Sequence, residues 1–397
     1  MALHGEELTN IKVVIGSNFG DEGKGLMTDY FCHQAHAKGE NCIVVLSNGG
    51  AQRGHTVVTP HGERHVFKHF GAGTFAHACT YCPADFILNP MEFRREYEEL
   101  NAIGQRPAVY VNRFCRLSTP YDMLINQIVE EAREGKKHGS CGMGIWETVY
   151  RYQKRPLSHD LFTFARLGRD KQVSYIKSIR DEYMHERLKE HGINSVPDEW
   201  RGIVYSDYLI ENFIIDVRFM FSHVIAAGDS VLTHFRNVVF ENGQGLLLDQ
   251  NQTLYGDNTT PSNTGILNPL KIADSAFSRA NMEVCYVTRT YMTRHGVGRF
   301  EEECDKSLIN PSMIDETNGT NQFQGRLRYG ELDVDGLLSR VENDLKHLNN
   351  SNFNWTASFG VTHTNEKHFD YSRLLGGSAN NVYLSDRRDR DSVKIFE

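Results

Sequence analysis

Short apolar runs alternate along this chain with longer segments whose apolar positions recur every three or four residues. Residues 11–16 (IKVVIG) and 42–47 (CIVVLS) are compact, β-branched and bounded by turn formers, which predicts buried strands. The intervening LMTDYFCHQAHA (26–37) has helical spacing, so the pattern predicts a strand–loop–helix–strand unit. Helices are expected at 90–101 and 122–134, and a charged, solvated one at 171–190. Further strands are expected at 230–233 (SVLT), 237–241 (NVVFE) and 284–288 (VCYVT), and an amphipathic helix at 337–348 (LLSRVENDLKHL). Apolar strands interleaved with helices predict an α/β fold with a large, mostly parallel central sheet flanked by helices. Residues 101–225 read as more helical than the rest and are expected to form a subdomain of one domain spanning 1–397.

The first predicted strand runs into SNFGDEGKG (17–25), with one lysine and two carboxylates among its glycines. Glycine-rich turns let backbone N–H groups approach phosphate oxygens, and a helix N-terminus adds a favourable field. Lys24 would add positive charge. The loop departs from G-x-x-x-x-G-K-[ST], because Gly25 stands where a magnesium-ligating hydroxyl would be. Asp21 is the nearest replacement ligand. A second cluster, Asn48-Gly49-Gly50-Ala51-Gln52-Arg53-Gly54-His55, follows the next strand. There His55 would face the first loop across the crevice where α/β sheets bind ligands.

The formal net charge of -8 over 397 residues argues against broad affinity for nucleic acid or anionic membrane. The opening MALHGEELTN lacks the apolar core of a signal peptide, and no apolar run approaches a membrane span. The eight cysteines are scattered. They read as reduced cytosolic thiols, with Cys79-x-x-Cys82 the one pair to consider for redox or metal chemistry.

GDEGKG after an apolar strand, then GG-x-x-x-GH, resembles adenylosuccinate synthetase, a fold of the P-loop-NTPase-like kind. In the same order, HGSCGMGI (138–145) is similar to that family's GTTGRGIG and FENGQGLLLD (240–249) to its FEGAQGTLLD. TTPSNT (259–264) resembles TSSNTT, and YMTRHGVGRF (291–300) resembles YSTRVGAGPF. QGRLRYGELD (324–333) resembles TGRRRRTGWLD, and SDRRDR (385–390) resembles STGPDR. The resemblance implies a homodimeric, Mg2+-dependent ligase joining L-aspartate to the 6-position of a purine nucleoside monophosphate. The nucleoside triphosphate would phosphorylate purine O6 first. Catalysis would fall to Asp21, His55 and Gln244, with Asp21 and the Gly54 carbonyl as metal ligands. Gly20, Glu22, Gly23, Lys24, Gly25, Gly54, Asn365 and Ser385 would meet the triphosphate. The purine nucleotide would meet Asp21, Lys24, Gln52, Ser140, Cys141, Gln244, Thr260 and Arg326, with Arg155 reaching into a partner's site. Gln324, Gly325, Arg326 and Arg328 would bind aspartate.

The departures carry information too. The family reads the guanine of GTP with T-K-x-D; here the stretch is Thr362-His363-Thr364-Asn365. Asparagine cannot offer the paired acceptors of a carboxylate, so an adenine donor, ATP or dATP, is expected. GGHNAGH reads GGAQRGH, placing Ala51 and Gln52 beside the purine, and the C-terminal region is compressed. This pattern resembles a viral branch of the family, PurZ, that uses dGMP and leads to 2-aminoadenine in phage DNA. That branch implies the cytoplasm of a host. Synthesis from IMP and GTP is the alternative. A nucleotide-binding homologue without catalysis, or a P-loop GTPase or kinase, represents other classes.

Overall fold

A computed structural model describes residues 8–133, 139–155, 158–313, 326–375 and 379–396. A ten-stranded sheet runs through it. Its strands in chain order are β1 (Asn10–Gly16), β2 (Cys42–Leu46), β3 (Cys79–Cys82), β4 (Val109–Val111) and β5 (Ile225–Ala226), then β6 (Asn237–Gly245), β7 (Asn281–Arg289), β8 (Asn354–Thr362), β9 (Ala379–Leu384) and β10 (Lys394–Ile395). The spatial order is β10-β9-β8-β7-β1-β6-β2-β3-β4-β5. Neighbours are parallel except at the β9–β10 edge.

From β2 the chain builds outward through β3, β4 and β5, then returns to insert β6 between β1 and β2. It next crosses to the other side of β1 with β7 and builds outward again. The order therefore reverses around β1, which is where open parallel sheets bind ligands beyond the carboxyl ends of their strands.

Alternate residues along the central strands enter different cores, as a two-residue side-chain period requires. Val14, Val44, Leu46, Val239 and Val287 pack on the face covered by α1 (Lys24–Ala37), α2 (Pro90–Ala102) and α3 (Pro120–Ala132). The helices between 161 and 223 join that same cluster. Val13, Ile15, Ile43, Val45, Val238, Phe240 and Val284 face the other way, toward the helices Leu267–Ala276 and Val334–Leu345.

Several expectations need correction. Residues 230–233 lie in a 3-10 helix, Asp229–His234, with Leu232 buried in the second core. The segment 169–190 is helical, with a π-helical turn at Ile179–Met184. It is not wholly solvated, because Ile176, Ile179, Met184 and Leu188 are core residues. Cys79 and Cys82, three apart on β3, point to opposite faces, so they form neither a redox pair nor a chelate. All eight cysteines are free thiols. Among the described residues, no helix is long and apolar enough to cross a membrane.

Candidate active site

The loop leaving β1 is shaped by steric demands only glycine meets. A Cβ on Gly16 would lie 2.3 Å from Glu22 Oε2 and 2.6 Å from the Gln244 carbonyl. Gly20 and Gly23 have φ of 103° and 96°, and Asp21 adopts 55°, a left-handed conformation uncommon outside glycine. Gly23 opens α1, whose N-terminus has no side-chain cap, so its N–H groups face the loop ready for an anion. A Cβ on Gly25 would lie 2.8 Å from the Thr56 carbonyl and 3.2 Å from His55 Cβ. The first turn of α1 therefore sits against the second cluster.

Glu22 is buried beneath the loop and accepts from Asn18 N at 2.6 Å. Burial pushes its carboxyl up to about 7, against the pull of Lys24 and the Asn18 hydrogen bonds. Burial likewise pushes the Lys24 ammonium down, while Glu22 and Asp21 oppose the shift. A bound polyphosphate would replace the hydration Lys24 has lost.

His55 is fixed by a residue the sequence reading passed over. Its Nδ1 meets Glu241 Oε1, in the middle of β6. Glu241 Oε2 pairs with Arg53 Nη2 at 3.3 Å and accepts from Ala72 N at 3.2 Å. Arg53 Nη2 also lies 3.2 Å from His55 Nδ1. Burial pushes the imidazole down to about 4, with Glu241 opposing. The ring is thus neutral at pH 7, and the contact with Glu241 assigns the proton to Nδ1, leaving Nε2 as the open nitrogen. The available signal was a carboxylate inside an apolar strand, VVFEN.

Gln244, at φ 58°, follows on the same strand end, and Gly245 passes Asn18 so closely that a Cβ would lie 2.3 Å from its carbonyl. Gln244 Oε1 is buried without a partner, as are both amide atoms of Gln52. Buried amides usually have partners, so these point to a ligand. Asn48 ties the loops together, accepting from Gly243 N at 2.8 Å and donating to Ser262 Oγ at 3.0 Å.

Ser140 and Cys141 lie before the helix Ile145–Lys154. Asn126, also missed, organises this turn: Ser140 Oγ donates to its Oδ1 at 2.8 Å and Gly144 N at 3.2 Å. Burial pushes the Cys141 thiol up, so it is protonated. Thr260 is positioned by its N–H donating to the Leu248 carbonyl at 2.9 Å.

These groups share one cavity of about 1750 Å³, lined by Gly20, Asp21, Glu22, Gly23, Lys24 and Gly25, by Gln52, Gly54 and His55, and by Ser140, Cys141, Gln244, Thr260 and Asn365. Arg289, Arg294 and His295 also line it and were not anticipated. Arg294 is buried, with Nε unpartnered and its guanidinium 4.5 Å from the Phe19 ring; burial pushes it down to about 10.

Other expected residues lie elsewhere. Arg155 opens on a separate cleft, pairing with Glu182 at 3.3 Å and Glu186 at 3.0 Å. Ser385 Oγ closes its own turn on the Arg387 carbonyl at 2.7 Å, while Asp386–Asp389 reach the cavity. Arg328 pairs with Glu303 and donates to the carbonyls of Gly298 at 2.9 Å and Gly296 at 3.3 Å. Arg326 is exposed, and Gln324 and Gly325 lie outside the described residues.

A sequence profile described as "Adenylosuccinate synthetase" matches residues 13–345. The adenylosuccinate synthetase of Chlorobium chlorochromatii is 25% identical over 327 residues, covering 77% of this chain and 65% of that protein. That of Trichodesmium erythraeum is 28% identical over 327 residues, covering 80% and 69%. The chain thus spans about two thirds of the length of these relatives. In fold it is similar to fully ligated adenylosuccinate synthetase from Plasmodium falciparum (TM-score 0.62, 18% identity, 89% of this chain and 76% of that one). It is also similar to cyanophage S-2L succinoaminodeoxyadenylate synthetase (PurZ) bound to dGMP and dATP as an energy donor (TM-score 0.63, 14% identity, 98% and 96%).

Proposed function

The chain belongs to the adenylosuccinate synthetase family, and from that premise we propose that it is a ligase joining L-aspartate to the 6-position of a purine nucleoside monophosphate. The supporting observation is the convergence of Asp21, Lys24, His55 and Gln244 on one cavity at the sheet's reversal point. Asp21 takes the N1 proton, so O6 attacks the γ-phosphorus and the nucleoside diphosphate leaves. The aspartate amine then adds at C6, and phosphate departs carrying O6. Lys24 and the α1 N-terminus stabilise the phosphates. His55 Nε2 is the open position through which the imidazole meets the transferring group. Anionic phosphates beside it raise its proton affinity, so it becomes a donor only once the site is filled.

Asp21 and Gly54 suit Mg2+. They offer a carboxylate 36% exposed and a backbone carbonyl on an exposed residue, both hard oxygen donors at the cavity wall. Among the described residues no group of three or more His, Cys, Asp or Glu could hold a metal alone. The phosphates must complete the shell, as Mg2+ commonly requires. Bound there, the ion would neutralise charge on the transferring phosphoryl group.

The preferred substrates are dGMP with ATP or dATP, giving N6-succino-2-amino-2'-deoxyadenylate. Asn365 stands where the family's guanine-reading aspartate would be. Both oxygens of the adjacent Glu366 are engaged, by Asn310 Nδ2 at 2.7 Å and Asn365 Nδ2 at 3.2 Å. That leaves this neighbouring carboxylate engaged, which favours an adenine donor. The unpartnered Gln52 amide offers an acceptor for a purine 2-amino group. A second copy would bring Arg155 to a site, since within one chain it opens on another cleft. The retained Asp21 and the relatives' names favour a second reading, IMP with GTP. Aspartate-dependent phosphate release, crossing IMP, GMP and dGMP with ATP, dATP and GTP, separates them. Turnover of dGMP with ATP or dATP supports the proposal; turnover confined to IMP with GTP rejects its substrate assignment.

A further inference from the structure

His295 is the one imidazole beside Asp21 among the described ion pairs, with Nε2 3.3 Å from Asp21 Oδ2. In the motif YMTRHGVGRF it stands where the similar YSTRVGAGPF has valine, a side chain with no donor. Its loop follows a short strand, Met292–Arg294, and is fastened from several sides. Arg294 Nη1 donates to the Arg299 carbonyl, and Arg328 binds the carbonyls of Gly296 and Gly298. Gly139 packs so close that a Cβ there would lie 2.8 Å from Gly296 Cα. The imidazole therefore approaches Asp21 from a braced support. Asp21 in turn has its carbonyl tied to Arg289 Nε at 2.5 Å, yet its side chain is 36% exposed. Its backbone is held while its carboxylate, without His295, could turn toward solvent.

We propose that His295 is a positioning residue that fixes the Asp21 carboxylate. It engages Oδ2 and leaves Oδ1 aimed into the cavity for the metal and the purine. This rests on the proposed function for the role of Asp21. Residues that orient a metal-ligating group typically change affinity about 10–100-fold when removed.

The test compares wild type with His295→Val and His295→Gln, whose Nε2 can occupy nearly the same place as the imidazole's. Mn2+ serves as the probe, its binding read from the free-ion electron paramagnetic resonance signal. The protein carries a non-hydrolysable analogue of whichever triphosphate supports turnover, or of ATP if none does. His295→Val should weaken Mn2+ about 10-fold or more and lower kcat, with nucleotide KM values within about 2-fold. His295→Gln should stay within about 3-fold of wild type in Mn2+ affinity, because the donor is restored. Mn2+ affinity unchanged in His295→Val, or equally weakened in both variants, would overturn the proposal. Absence of aspartate-dependent turnover in wild type would reject the proposed function instead, and the Mn2+ comparison would still decide the role of His295.

Discussion

Replacing Glu241 with Gln should damage stability and activity by separable routes. Glu241 is fully buried, and its carboxylate is shared by His55, by Arg53 and by Ala72 N. Arg53 is also buried, and its Nε and Nη1 already lack partners. The substitution leaves a buried guanidinium without its paired carboxylate, which typically costs about 3–5 kcal/mol. A chain of 397 residues has an unfolding entropy of about 0.8 kcal/mol/K, so the melting temperature should fall about 4–6 °C. The neutral amide also ceases to dictate which His55 nitrogen carries the proton. Loss of that control should lower kcat/KM about 10²–10³-fold, within the range of a general acid–base contribution. The assay pairs thermal unfolding with aspartate-dependent phosphate release. Arg53→Met combined with Glu241→Gln should recover part of that stability, because no unpaired guanidinium remains while the amide oxygen can still accept from Ala72 N, and should leave activity low. A Glu241→Gln protein within about 0.5 kcal/mol of wild type would refute the reasoning.

Three further outcomes are expected. As pH falls from 6.5 toward 4 the buried His55 and His69 imidazoles should destabilise the unliganded protein, while the carboxyls that burial pushes up to about 7 (Glu22) and about 6 (Asp29 and Asp344) take up protons in the folded state and oppose them. Burial pushes His55 down to about 4 and His69 to about 3, so the unfolded chain binds protons that these rings refuse; denaturant midpoints of wild type and His69→Gln across that window isolate the effect, the variant gaining stability relative to wild type as pH falls. Above about pH 7.5 the two rings contribute no pH dependence, both states being neutral there. Asn365→Asp should raise GTP use relative to ATP about 10-fold or more by restoring a paired acceptor, measured as the kcat/KM ratio of the two donors. Denatured protein without reductant should titrate eight thiols with a disulfide reagent, because Cys79 and Cys82 face opposite ways; six would contradict the sheet geometry.

Legibility followed the range of each interaction. β1, β2 and β7 are apolar runs stopped by turn residues, and the loops after β1 and β2 announce themselves by glycines. Local sequence carries all of that. β8 was missed because its first third, Asn-Trp-Thr, is largely exposed and its buried remainder includes Gly360, which packs against Met27. SVLT looked like a strand from composition, but its one buried residue, Leu232, serves a single helical turn. The site divides in the same way. Asp21 lies in a glycine-rich loop, Lys24 and His55 stand at the junctions where such loops end, and Gln244 sits between two glycines at the end of β6, positions that local sequence marks as special. Glu241 meets His55 across 186 positions and Asp21 meets His295 across the sheet's reversal point. Nothing local records such pairings; only the strand order creates them.

The central claim is that O6 of the purine is phosphorylated before aspartate displaces it. The direct measurement uses a purine monophosphate labelled with 18O at the 6-position, incubated with L-aspartate, a triphosphate donor and Mg2+. Mass analysis of the released phosphate then gives the answer. One 18O atom is expected in each phosphate and none on the product purine. Unlabelled phosphate from a reaction that still consumes aspartate would contradict it.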